Sequence, residues 1–126
     1  MFNCQSIEMN DIFLGKIGAE DWDMQKAVFL YVTFSSEAQA LEIIEQLLER
    51  RLVACANLFP ARSVYKWENM MQKAEETVAL LKTLPERSTQ VVHLIQKLHA
   101  YQVPCIAQAN VEVTPSFGEW LSKECA

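Results

Sequence analysis

Apolar positions fall along the chain in two kinds of run, short ones of strand length and longer ones with a helical period. Ala27 to Thr33 (AVFLYVT) is short, β-branched and aromatic, which predicts a strand. Ser36 follows as a helix N-cap, with Gln39 three residues on completing a capping-box pattern. Behind it Leu41, Ile44 and Leu48 recur at helical spacing, flanked by Ala40 and Leu47, while Glu42, Glu45 and Glu49 take the other side. Arg50 and Arg51 fall in the last turn, where cations complement the helix dipole. Leu52 to Phe59 (LVACANLF) is strand-like again and is interrupted by Pro60. Arg62 to Glu68 alternates, with Val64 and Lys66 on one face and Tyr65 and Trp67 on the other. Asn69 to Lys73 reads as a turn and Thr77 to Leu81 as an apolar strand. Pro85 suits the first turn of a second helix, whose stripe is Val91, Leu94, Ile95 and Leu98. Val103 to Val113 supplies a last strand, and Thr114-Pro115 opens a short terminal helix that buries Phe117, Trp120 and Leu121.

The order is β-α-β-β-α-β plus a helix. It predicts an α+β, ferredoxin-like fold in which an antiparallel sheet carries its two helices on one face. A sheet covered on one side should alternate apolar and polar residues. AVFLYV and VALL do not alternate, so the second face also needs a cover. Another copy of the chain supplies one, and a homo-oligomer is the expectation. The alternative lid is the terminal helix or the N-terminal segment.

Composition narrows the function classes. The chain has 126 residues, 51% of them hydrophobic, with 3 glycines and 4 prolines, which suits one domain with a substantial core. Residues 1–26 differ from the rest. They hold five acids against two bases, and they read as a loosely held extension before a domain at 27–126. No run approaches the roughly 18 apolar residues of a membrane span, so no membrane partner is expected. The net charge of −5 argues against nucleic acid, which calls for a clustered basic surface. The 4 cysteines lie far apart with no Cys-x-x-Cys pair, which excludes a zinc ribbon or thioredoxin-like motif. The chain start lacks the basic region of a secretory signal, and reduced thiols in a cytoplasm are the simplest account.

Several ordered blocks carry a family resemblance. Arg51-Leu52-Val53-Ala54-Cys55-Ala56-Asn57-Leu58, then Pro60 and Ser63-Val64-Tyr65-Lys66-Trp67-Glu68, resemble a strand and hairpin of the CutA divalent-cation-tolerance proteins. Glu75-Glu76 with Leu80-Leu81-Lys82-Thr83 is similar to that family's acidic turn and strand end. His99-Ala100-Tyr101-Gln102-Val103-Pro104 resembles its H-P-Y-x-x-P corner, and Trp120-Leu121 its terminal pair. The resemblance covers about residues 27 to 122. It implies a ferredoxin-like homotrimer whose long hairpin crosses to a neighbour, with Tyr65, Trp67, Glu68, Lys82 and Tyr101 on the hairpin or in an inter-subunit cleft.

It also implies a role in tolerance of divalent metal ions, with copper as the candidate metal and no organic cofactor. Cys55 and His99 match positions proposed for metal binding in the family, and Cys105 adds a soft donor where many members have glutamate. Thiolate and imidazole suit copper. The same residues also read as core packing for Cys55 and Cys105, and as a helix-terminal cation for His99. Ala100 replaces the usual proline, and Val32 stands where some copper-binding members carry cysteine. The Glu75-Glu76 pair reads as a solvated turn or a weak site for a hard cation. A PII-like small-ligand module or a scaffold trimer is the alternative, although the three glycines make no phosphate-binding loop. No catalytic motif is present, and an enzyme is not expected.

Overall fold

A computed structural model describes residues 23–126. The expected extension lies almost wholly outside the described residues, including the turn read at Phe13, Leu14 and Ile17. Its last two residues belong to the first strand, β1, which spans Gln25–Phe34.

Helix α1 (Glu37–Glu49) starts where the capping pattern places it. Ser36 is extended (φ −157°, ψ 161°), and its Oγ accepts the Gln39 N–H at 3.1 Å. The buried stripe differs from the expected one: it is Ala40, Ile43, Ile44 and Leu47, while Leu41 and Leu48 are 39% and 42% exposed. Two overlapping apolar series run along this helix. The one with two adjacent isoleucines fills the space above the sheet, and the other lies at its border.

The helix ends with Arg50 as C-cap, so the arginines sit just past the last turn rather than in it. Arg51 has φ 57°, its N–H reaches Leu48 O at 3.0 Å, and the Leu52 N–H reaches Leu47 O at 2.9 Å. That is a Schellman closure with arginine in the position glycine usually takes.

Strand β2 (Cys55–Trp67) runs unbroken through Pro60, contrary to the expected interruption. The strand order β2-β3-β1-β4 makes β2 an edge, where a residue without an N–H costs the ladder nothing on its outer side. The turn to β3 (Met70–Thr83) is Glu68-Asn69 alone, at φ 51° and 65°, with Trp67 paired to Met70. Two left-handed residues match the twist of the strands they join, so residues 70–73 belong to the strand rather than to the turn read from sequence. Strand β1 pairs with β3 only over Thr77–Thr83, and the hairpin beyond it projects free of the sheet by roughly 20 Å.

Pro85–Arg87 form a 3-10 turn ahead of α2 (Ser88–Leu98), which buries Val91 and Ile95 and half-buries Leu94 and Leu98. Strand β4 (Ile106–Val113) begins three residues later than expected. Val103 is exposed and Pro104 ends the preceding corner. Helix α3 (Pro115–Glu124) closes the chain with Pro115 in its first turn.

All three strand pairs are antiparallel, and residues directly opposite share a face. One face carries Val28, Leu30, Val32 and Phe34 of β1 with Ala79 and Leu81 of β3, packed under α1 and α2 in the main core. On the other face α3 lays Leu121 and Cys125 against Ala27 and Ala54, with Phe29, Val111, Phe117 and Trp120 around them. This lid reaches one end of the sheet only. Farther along, Tyr31 is 40% exposed and Phe59 44% exposed. The β-α-β-β-α-β order, the antiparallel sheet and the terminal helix are as the sequence predicts.

Candidate functional site

His99 is fixed from both sides. It is the C-cap of α2, where its own N–H reaches Ile95 O at 2.8 Å. The imidazole stacks on Phe34 (centroids 4.9 Å apart, planes 12° apart) and leans on Tyr101 at 4.8 Å. Nδ1 accepts the Tyr101 backbone N–H at 3.0 Å, so the ring proton sits on Nε2, which donates to the Thr33 carbonyl at 2.7 Å. Both nitrogens are therefore occupied, and a metal ion at either would displace one of these bonds.

Tyr101 extends the arrangement to the hairpin. Its hydroxyl donates to Glu76 Oε2 at 2.8 Å. Desolvation, followed by the bond to Glu76 and that carboxylate's charge, pushes the phenol well above its ordinary range; Tyr65 adds to the shift. Glu75 and Glu76 lie within β3 and not in a turn, which corrects the sequence reading. Neighbours on a strand point to opposite faces. Glu75 accordingly pairs with Arg62 across the ladder (Nε–Oε1 3.6 Å), while Glu76 takes Tyr101. The two carboxylates do not act as a pair. An open cleft of about 470 Å³ at the root of the hairpin is bordered by Ser35, Pro60, Arg62, Glu75 and Thr77.

Cys55 opens β2, directly opposite Lys82, which in turn faces Phe29. Burial pushes the Cys55 thiol up, and the Lys82 charge offsets part of that. The Lys82 ammonium lies 5.4 Å from the Phe29 ring centroid and 5.6 Å from that of Phe117, a cation held over two aromatic faces. Cys105 is exposed and immediately precedes Ile106, the partner of Val32.

The register thus separates the three candidate metal ligands. Cys105 and His99 belong to the end of the sheet marked by Val32 and Thr33. Cys55 is aligned with Phe29, four residues along β1 from Thr33, roughly 13 Å away. No group of three or more His, Cys, Asp or Glu side chains able to hold a metal ion occurs among the described residues. The three residues do not fit a single copper site within one chain.

The hairpin candidates also divide. Tyr101 meets the hairpin near its root through Glu76, Tyr65 faces Gln72 in its outer half, Trp67 and Glu68 form its tip, and Lys82 sits at the far end of β3 beside Cys55. Sequence reasoning missed Arg62, whose signal was its strand-register position opposite Glu75. It also missed the Thr33 carbonyl, for which a backbone acceptor leaves no signal. No helix among the described residues is long and apolar enough to cross a membrane.

Comparison with known proteins agrees with this architecture. The family model described as CutA1 divalent ion tolerance protein matches residues 28–124. A divalent-cation tolerance protein CutA of Thermotoga maritima is 39% identical over 95 residues, covering 75% of this chain and 94% of that protein. The CutA1 crystal structure from Pyrococcus horikoshii superposes with a TM-score of 0.76 at 33% identity, covering 79% of this chain and 98% of that one. A structure from Archaeoglobus fulgidus described as a periplasmic divalent cation tolerance protein CutA gives a TM-score of 0.77 at 32% identity, covering 79% and 99%. A family match that runs from Val28 in the first strand through the other three strands and all three helices, with relatives of this identity over nearly their full length, places the chain in the CutA1 divalent ion tolerance family.

Proposed function

We propose that the chain works as a cytoplasmic homotrimer in the tolerance of divalent metal ions, with copper as the ion its thiols meet. The observation that carries the reading is the half-open second face of the sheet. Phe59, Tyr65 and Trp67 alternate along β2 on that face, Tyr31 lies beside them on β1, and each leaves 40% or more of its surface in water in the single chain. Apolar surface of this kind favours association, and copies packed around an axis would withdraw it from water. The projecting hairpin is long enough to reach a neighbouring chain.

Divalent-cation tolerance is what the family description and the relatives' names state, and it supports a metal-linked role here. Thiolate donors favour Cu(I) over harder ions. Cys105 is the exposed thiol among the described residues, whereas Cys55 is half-buried with its thiol pushed up and His99 is engaged at both nitrogens. The copper contact in this reading therefore begins at Cys105, not at a preformed three-ligand centre. Reduced cysteines agree with a cytoplasmic setting.

Native mass spectrometry of the reduced protein, titrated anaerobically with Cu(I), tests both parts. The expected result is a mass of three chains that takes up copper, with uptake lost in Cys105→Ala. A monomer would overturn the assembly. A trimer that stays metal-free at low micromolar copper would overturn direct copper binding and leave the assembly standing.

A further inference from the structure

We draw no further inference here: the strongest candidate, the open cleft at the root of the β2–β3 hairpin, carries nothing because its exposed Arg62 and Glu75 already pair with each other, Glu76 is held by Tyr101, and no remaining group there selects a ligand.

Discussion

Arg51 donates through Nη2 to the carbonyl of Lys123 at 2.6 Å, and through Nε to that of Glu124 at 3.1 Å. One arginine thereby joins the ends of two helices. Its backbone closes α1 in a left-handed conformation, and its side chain caps the last carbonyls of α3. Arg87 completes that cap, with Nε donating to Cys125 O at 3.1 Å. The left-handed backbone costs about 1–2 kcal/mol for a residue with a Cβ. The side-chain bonds are what offset it.

Replacing Arg51 separates these two effects. Arg51→Ala keeps the unfavourable backbone and loses the bonds, and should destabilise the fold by roughly 1–3 kcal/mol in a denaturant titration. Arg51→Gly loses the same bonds but relieves the backbone, so it should cost less than alanine. Equal losses in the two variants would show that the conformation carries no strain.

Helix α3 passes close over the start of β1 at Gly118. A Cβ at this position would stand 2.9 Å from Gln25 Cδ and 3.0 Å from Gln25 Cβ. The obstructing Cδ belongs to the outer part of a flexible, exposed side chain that can swing aside. Gly118→Ala should therefore cost no more than about 1 kcal/mol, the close Cβ contact opposing alanine's better helix propensity. Gln25→Ala removes the outer part of the obstacle and should recover part of the loss. A double-mutant cycle by thermal melting measures this, and purely additive effects would mean that the two residues do not collide.

The elements that came through from the sequence are those set by local chemistry. Ser36 caps α1 because a short hydroxyl side chain satisfies an orphan N–H wherever it precedes a helix, and β1 forms because its β-branched run suits a pleated surface. The errors arose where tertiary contact decided the outcome. Leu41 and Leu48 have helical spacing as good as that of Ile43 and Leu47, and only the position of the sheet selects between them. Pro60 breaks a central strand but not an edge one, and the strand order is not written locally. For the candidate site, residue type gave Cys55, His99 and Cys105 as donors. Their separation follows from a register that fixes Cys55 to Lys82 and from a backbone carbonyl, Thr33, that occupies His99.

His99 should thus behave first as a structural clamp. His99→Ala removes the partners of the Tyr101 N–H and the Thr33 carbonyl together with the stack on Phe34. A loss of about 2–4 kcal/mol is expected, from two deprived polar groups and one ring contact. Amide exchange at Tyr101 should rise in the same variant. An unchanged exchange rate would mean that the imidazole is not what protects that amide.

Alkaline pH should weaken the fold. Cys55 and Cys125 are held above the ordinary thiol value of 9.0, chiefly by desolvation, and Tyr101 is held above its ordinary 10.0 for the same first reason. In the unfolded chain these groups ionise near their ordinary values while the folded chain keeps their protons. The unfolded state then binds fewer protons, and stability falls as pH rises. The contribution is complete below pH 9 and is lost progressively above it. Urea titrations at pH 8 and pH 10.5 should show the drop, and Tyr101→Phe should reduce it. A midpoint that does not move between the two pH values would contradict the burial of all three groups.

The uncovered face of the sheet gives the last prediction. Tyr31 and Phe59 occupy the part of the face that α3 does not reach, each next to buried Val78 or half-buried Leu80 of β3. A lysine at either position would be tolerated by a single chain, because the site is already open to water. In an assembly that buries the face, the same lysine would bring an unpaired ammonium into an apolar contact once per subunit, and around an axis the copies would face one another. Tyr31→Lys and Phe59→Lys should therefore shift the protein from oligomer to monomer in sedimentation velocity, while the far-ultraviolet circular dichroism of the subunit stays the same. Leu41→Lys, on the exposed border of α1 and away from both the open face and the hairpin, is the control that should leave the sedimentation unchanged. If all three variants sediment as the parent does, the exposed aromatic face is not the interface, and the assembly must use another surface.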